Sequence, residues 1–139
     1  MARGKPTMPS NKDIDWARLR TAAQEAARMA YAPYSNFFVG AAGLTDDGRI
    51  VSGCNVENAS YGLTLCAECS MVSDLHRSGG GRLVAVAVTG PHGNPITPCG
   101  RCRQLLVEAG GSECIVNEVD TVGALLPDAF EFPAPLPTS

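Results

Sequence analysis

Two Cys-x-x-Cys pairs, Cys66-Ala67-Glu68-Cys69 and Cys99-Gly100-Arg101-Cys102, constrain this chain more than any other feature. Paired thiols at this spacing read as zinc ligands, and two pairs serving one ion would have to meet across residues 70–98. Each pair opens a segment of helical periodicity, where free backbone N–H groups and the helix dipole favour the metal-binding thiolate. A closed structural site would use Cys66, Cys69, Cys99 and Cys102, whereas a catalytic site would use three and leave a position for water. Spacing leaves both readings open. A redox dithiol at Cys99 and Cys102 would give the first pair no role. Burial of the thiols as small apolar side chains is the plainest alternative.

At 139 residues the chain suits one compact domain, expected over 13–130, with a flexible segment 1–12 before it and a Pro-rich tail 131–139 after it. The tail cannot form a core element and is expected to run free or lie on another subunit. A net charge of −3 without a basic stripe argues against nucleic acid as a partner. No apolar run approaches the roughly 18 residues of a membrane span, so no membrane partner is expected. Met1–Lys12 carries Arg3, Lys5 and Lys12 but no apolar core of a signal peptide, which leaves a cytoplasmic protein as the expectation. In that compartment six cysteines suit metal binding better than disulfides.

Leu19, Ala22, Ala23, Ala26, Met29 and Ala30 recur at helical intervals and predict an amphipathic helix over Asp15–Tyr31, capped by Asp13 or Asp15 and stopped before Pro33. Phe38–Thr45 and Arg49–Val56 predict a hairpin turning at Asp46-Asp47-Gly48. A second helix is predicted over Cys66–Ser78, with Thr64 available as cap and Gly79-Gly80-Gly81 as stop. The continuous apolar run Leu83–Thr89 suits a strand covered on both faces, at the centre of the sheet. Cys99–Ala109 reads as a third helix, Cys114–Asn117 as a buried strand and Val122–Leu126 as a short helix. This order predicts an α/β fold, a three-layer α/β/α domain around a mixed sheet whose first pair is antiparallel.

The string Cys66-Ala67-Glu68, followed by Pro98-Cys99-Gly100-Arg101-Cys102, matches the zinc deaminase signature with Cys in place of its first His. With Pro33-Tyr34-Ser35-Asn36-Phe37, Val39-Gly40-Ala41-Ala42, Gly53-Cys54-Asn55-Val56-Glu57-Asn58, Cys99–Gln104 and Leu125-Leu126-Pro127, it makes the chain resemble the cytidine deaminase family, from about Tyr31 to Phe130. The resemblance is to the short-chain, zinc-dependent, homotetrameric type. It implies a cytidine deaminase-like fold, one Zn²⁺ per chain held by Cys66, Cys99 and Cys102, and Glu68 as proton shuttle. A helical wheel alone would not pair Glu68 with Cys66, because residues two apart point about 200° from each other.

The resemblance further implies hydrolytic deamination of cytidine and 2′-deoxycytidine, with water activated on zinc attacking C4. Asn55 and Glu57 would bind ribose hydroxyls, Phe37 would pack on the base, and the Ala67 N–H and Thr97 carbonyl would meet the pyrimidine edge. Gln104 would orient the site, while Tyr61 and the Phe130 region would reach a neighbouring subunit's site. His76 and His92 lie in no motif that supplies a ligand and read as surface residues. A blasticidin-type deaminase is the nearest alternative, disfavoured by Asn55-Val56-Glu57-Asn58; a noncatalytic four-cysteine zinc module is the alternative from another class. One position departs from the family pattern. Most resembling sequences carry Arg after the glutamate, and here Cys69 stands there, so another cation, Arg101 or Arg103, is expected near the ligand sulfurs to offset three thiolates on one Zn²⁺.

Overall fold

A computed structural model describes residues 9–131; residues 1–8 and 132–139, which hold most of the expected N-terminal segment and nearly all of the Pro-rich tail, lie outside the described residues. Of the segment before residue 13, Asn11 is tied down: its Nδ2 donates to the Glu118 carbonyl at 2.7 Å and its Oδ1 accepts from Trp16 Nε1 at 2.6 Å.

Helix α1 spans Trp16–Ala27, and of the two proposed caps Asp15 serves, its carboxylate accepting from the Arg18 N–H at 3.1 Å. It ends before the expected Tyr31, which instead bridges to Val56. The hairpin forms from β1, Gly40–Thr45, and β2, Ile50–Cys54, both shorter than expected. Helix α2, Ala67–Arg77, has Cys66 rather than Thr64 at its N-cap position, and α3, Gly100–Gly110, has Cys99, neither with a side-chain capping hydrogen bond. Between them runs β3, Leu83–Thr89, buried along its whole length. Strand β4, Ile115–Val116, pairs with the unexpected β5, Asp120–Thr121, which leads into α4, Val122–Leu125.

The sheet order is β2-β1-β3-β4-β5, with β1 antiparallel to both neighbours and β3 parallel to β4, so the sheet is mixed. Trp16, Leu19 and Ala23 of α1 pack against Ala42, Val84, Ala85 and Ala87 on one face. Met71, Val72 and Leu75 of α2 and Leu106 and Val107 of α3 pack with Val86 and Val88 on the other. This is the expected three-layer α/β/α arrangement. A bulge makes Leu44 face Ala85 and Thr45 face Leu83, leaving Val84 as the extra residue and setting Val84 and Ala85 against the same layer. The outer helices sit close: a Cβ at Gly40 would overlap the Ala23 carbonyl, and one at Gly53 would lie 2.7 Å from the Ala67 carbonyl.

This topology fixes where chemistry occurs. Strands β2 and β3 both run antiparallel to β1 and therefore parallel to each other, so their C-terminal ends share one edge of the sheet. Helices α2 and α3 each follow one of those strands, and their N-termini meet there, in the crevice where α/β sheets bind ligands.

Candidate active site

At that edge Cys66, Cys99 and Cys102 bring their sulfurs within 4.8 Å of one another. Cys66 Sγ and Cys99 Sγ are 3.9 Å apart. A tetrahedral zinc with Zn–S bonds of about 2.3 Å sets its sulfurs roughly 3.8 Å apart, so the spacing fits the ion. The chemistry of the donor set fits as well. Burial, opposed by hydrogen bonds from Arg101 and Cys102, pushes the Cys66 thiol up; burial, then the neighbouring Glu68 carboxylate and Cys66 thiolate, pushes Cys102 up; at Cys99 burial is outweighed by hydrogen bonds from Cys102 and Cys66, which hold that thiol below its ordinary value. A divalent cation is what allows these crowded thiols to ionise together.

The two helix starts use their residues unequally. In α3 the N-cap Cys99 and the third helical residue Cys102 both join the cluster; in α2 the N-cap Cys66 joins, the second residue Glu68 is buried, and the third, Cys69, stays outside it. Successive helical positions differ by about 100°, so α2, rotated relative to α3, turns its second residue inward where α3 turns its third. The closed four-cysteine reading is therefore corrected: among the described residues three cysteines converge. His76 and His92 are exposed and outside the cluster.

Glu68 is 4% exposed, and burial raises its carboxyl pKa above the usual range, with hydrogen bonds from its own backbone and Cys102 opposing. It lines a cavity of about 200 Å³ together with Cys66, Ala67, Thr97, Cys99, Asn55 and the apolar Val39, Val88 and Ile96. A larger open cleft of about 750 Å³ between α1 and the Pro91–Gly93 turn is lined by neither thiol nor carboxylate.

Asn55, 9% exposed, accepts from the Val39 N–H at 2.9 Å and donates Nδ2 to the Phe37 carbonyl at 2.8 Å. Glu57 Oε1 accepts from the Tyr34 and Ser35 N–H groups at 2.9 and 3.2 Å, and its Oε2 accepts from Ser35 Oγ. The Ser35 hydroxyl above all, helped by those N–H groups, holds the Glu57 carboxyl below its ordinary value. Both side chains thus brace the loop 34–39 while each keeps hydrogen-bonding capacity for a ligand. Phe37, half exposed, lies outside the cavity lining and beside Gly90. Tyr61 is exposed with its ring edge-on to Tyr34, and Gln104 Nε2 donates to the Phe130 carbonyl at 2.8 Å, so neither enters the cavity of this chain.

Of the two arginines expected to offset the thiolates, Arg101 occupies the place. Its Nη2 lies 3.6 Å from Cys66 Sγ, 4.0 Å from Cys69 Sγ and 3.1 Å from the Thr64 carbonyl. Arg103 instead donates to the Pro98 and Leu125 carbonyls. Val39 belongs to a string that carries the family resemblance, whereas Thr64, Val88 and Ile96, which also line the cavity, belong to none.

The family described as the cytidine and deoxycytidylate deaminase zinc-binding region matches residues 15–118, a span that takes in all three clustered cysteines and Glu68. This chain belongs to that deaminase family. A cytidine deaminase of Mycobacterium tuberculosis is 60% identical over 121 residues, covering 85% of this chain and 91% of that protein. One from Halalkalibacterium halodurans is 41% identical over 126 residues, covering 84% and 95%. The crystal structure of the M. tuberculosis enzyme superposes with a TM-score of 0.83 at 58% identity, covering 86% of this chain and all of that one, and that of a Burkholderia pseudomallei cytidine deaminase with 0.75 at 44%, covering 84% and all. As a zinc-binding deaminase of this family, the chain has in Cys66, Cys99 and Cys102 the cluster that suits the metal.

Proposed function

We propose that this chain is a zinc-dependent cytidine deaminase that converts cytidine and 2′-deoxycytidine to uridine and 2′-deoxyuridine with release of ammonia. The observation that carries the reading is a buried carboxylate, Glu68, that stands beside three convergent cysteine sulfurs and lines a cavity of about 200 Å³. Zinc held by Cys66, Cys99 and Cys102 supplies Lewis acidity that makes water a nucleophile near neutral pH. Glu68 accepts the proton of the attacking water and passes it to ring N3; it then takes the proton of the hydroxyl added at C4 and hands it to the amino group, which leaves as ammonia as the C4 carbonyl forms. Its burial favours this shuttling, because a carboxyl raised above its ordinary pKa takes up a proton more readily than an exposed one. The Ala67 N–H, free at the start of α2, and the Thr97 carbonyl face the pyrimidine edge. Asn55 and Glu57 bind the sugar hydroxyls with the lone pairs and N–H left over from bracing loop 34–39.

The protein acts in cytoplasmic pyrimidine salvage as a homotetramer. A metal site of cysteine thiolates suits a compartment that keeps thiols reduced, and among the described residues no helix is long and apolar enough to cross a membrane. Tyr31, Val56, Tyr61, Leu63 and Leu65 leave a large apolar area exposed next to the site, and packing of identical chains over it would bring Tyr61 and Phe130 to neighbouring sites. Ammonia release from cytidine, 2′-deoxycytidine, cytidine monophosphate, cytosine and blasticidin S tests the reading. Turnover of the two nucleosides well above the other three is expected; equal activity on cytosine and cytidine would contradict the sugar recognition, and no release from any would contradict the enzyme.

A further inference from the structure

Strand β4 accompanies β3 only as far as Val86, so the β3 edge beyond it has no strand beside it at Val88. A side chain takes the strand's place. Asn117 donates its backbone N–H to the Val86 carbonyl at 2.9 Å, and its Oδ1 then accepts the Val88 N–H at 2.9 Å. Its Nδ2 donates to the Ile96 carbonyl at 2.9 Å, and the Ile96 N–H closes the ring on the Val88 carbonyl at 2.9 Å. The carboxamide thus stands in for a peptide unit, with one donor and one acceptor facing two backbone partners. Asn117 sits at φ 51°, in the left-handed region that asparagine tolerates better than most residues.

Both partners belong to the cavity. Val88 and Ile96 line it, and Ile96 is followed directly by Thr97 and, past Pro98, by the cysteine ligand Cys99. Besides this ring, the return from β3 to that ligand carries a bridge between Thr89 and Pro95. We infer that Asn117 is a positioning residue of the active site, clamping the Ile96–Cys99 segment to β3 so that the Thr97 carbonyl and the Cys99 sulfur are held in place. The inference rests on the deaminase reading for its kinetic consequence and on the cysteine cluster for its metal consequence.

Asn117→Gly keeps a backbone at ease in the left-handed region and removes the whole bridge; Asn117→Asp keeps the acceptor for the Val88 N–H and replaces the donor to Ile96 with a carboxylate oxygen that the carbonyl repels. Arg20→Gln serves as the control, since it breaks the 2.7 Å ion pair to the adjacent Glu118 without touching the ring. In both Asn117 variants zinc release to a chromogenic chelator should quicken by about tenfold or more, and kcat/KM for cytidine should fall by a similar factor, as seen for outer partners of metal ligands. Arg20→Gln should lower the melting temperature and leave both rates within twofold. Should Asn117→Gly fail to fold, Asn117→Asp carries the test by itself. Rates within twofold of the parent in the folded Asn117 variants would overturn the inference, and so would losses in Arg20→Gln equal to theirs at matched melting temperature. A parent enzyme that does not deaminate cytidine would instead sink the functional reading, while zinc release would still judge Asn117.

Discussion

Replacing Gly53 with Ala tests whether the seating of α2 on β2 sets the geometry of the site. A methyl there would overlap the Met71 backbone nitrogen and lie 2.6 Å from Ser70 Cβ and 2.7 Å from the Ala67 carbonyl. Ordinary carbon contacts lie at about 3.5–4.0 Å, so the helix must retreat by roughly 1 Å, and backbone atoms cannot swing aside as a flexible side chain can. The retreating turn carries Cys66, Ala67 and Glu68. Overpacking of this kind costs typically 1–3 kcal/mol of stability, and a misplacement of about 1 Å can cost on the order of 10²-fold in rate. Gly43→Ala is the matched control, because its methyl would meet the far ends of Leu83 and Met71, at 2.7 and 3.1 Å from Cδ2 and Sδ. Ammonia-release kinetics and thermal melts on both variants should show comparable destabilisation, with a kcat/KM loss of about 10²-fold confined to Gly53→Ala. A Gly53→Ala enzyme that melts early yet keeps parental kcat/KM would refute the claim that this contact sets the site.

Ser at Cys66, Cys99 or Cys102 should abolish bound zinc, read by elemental analysis, whereas Cys69→Ser should keep one zinc per chain and most activity. Equal metal loss at Cys69 would restore the closed four-cysteine site. Arg101→Gln should weaken zinc retention against a chelator by about tenfold, the low end of the range for groups that support metal ligands, because the guanidinium is exposed to solvent. Arg103→Gln, whose contacts are to carbonyls, should leave retention unchanged.

Much of the fold was legible because its cues are local. The apolar run Leu83–Thr89 suited a strand covered on both faces, and the Gly-terminated periodic segments suited helices, as the structure has them. Strand β5 escaped because two exposed residues carry no pattern. Helix α1 stops early because Tyr31 exchanges backbone hydrogen bonds with Asn55 and Glu57, a partnership set by distant residues. The site divides in the same way. Spacing brought out the thiols, but it could not tell Cys69 from its three neighbours, since the choice depends on how α2 is rotated against α3. Nor could it choose between Arg101 and Arg103, which differ by the two helical positions that send one to the sulfurs and the other toward Leu125. Asn117 was invisible as a functional residue because its meaning lies in the missing end of β4.

The central claim is that zinc binding and proton transfer are carried by separate residues of one site, and Glu68→Gln tests it most directly. The amide matches the carboxylate in shape but cannot take up the proton, and it coordinates nothing in the three-cysteine cluster. Zinc content and ammonia release from cytidine, measured side by side on parent and variant, should show one zinc per chain in both and a fall in kcat of at least about 10²- to 10⁴-fold in the variant. A Glu68→Gln protein that holds its zinc and turns over cytidine at the parental rate would contradict the account.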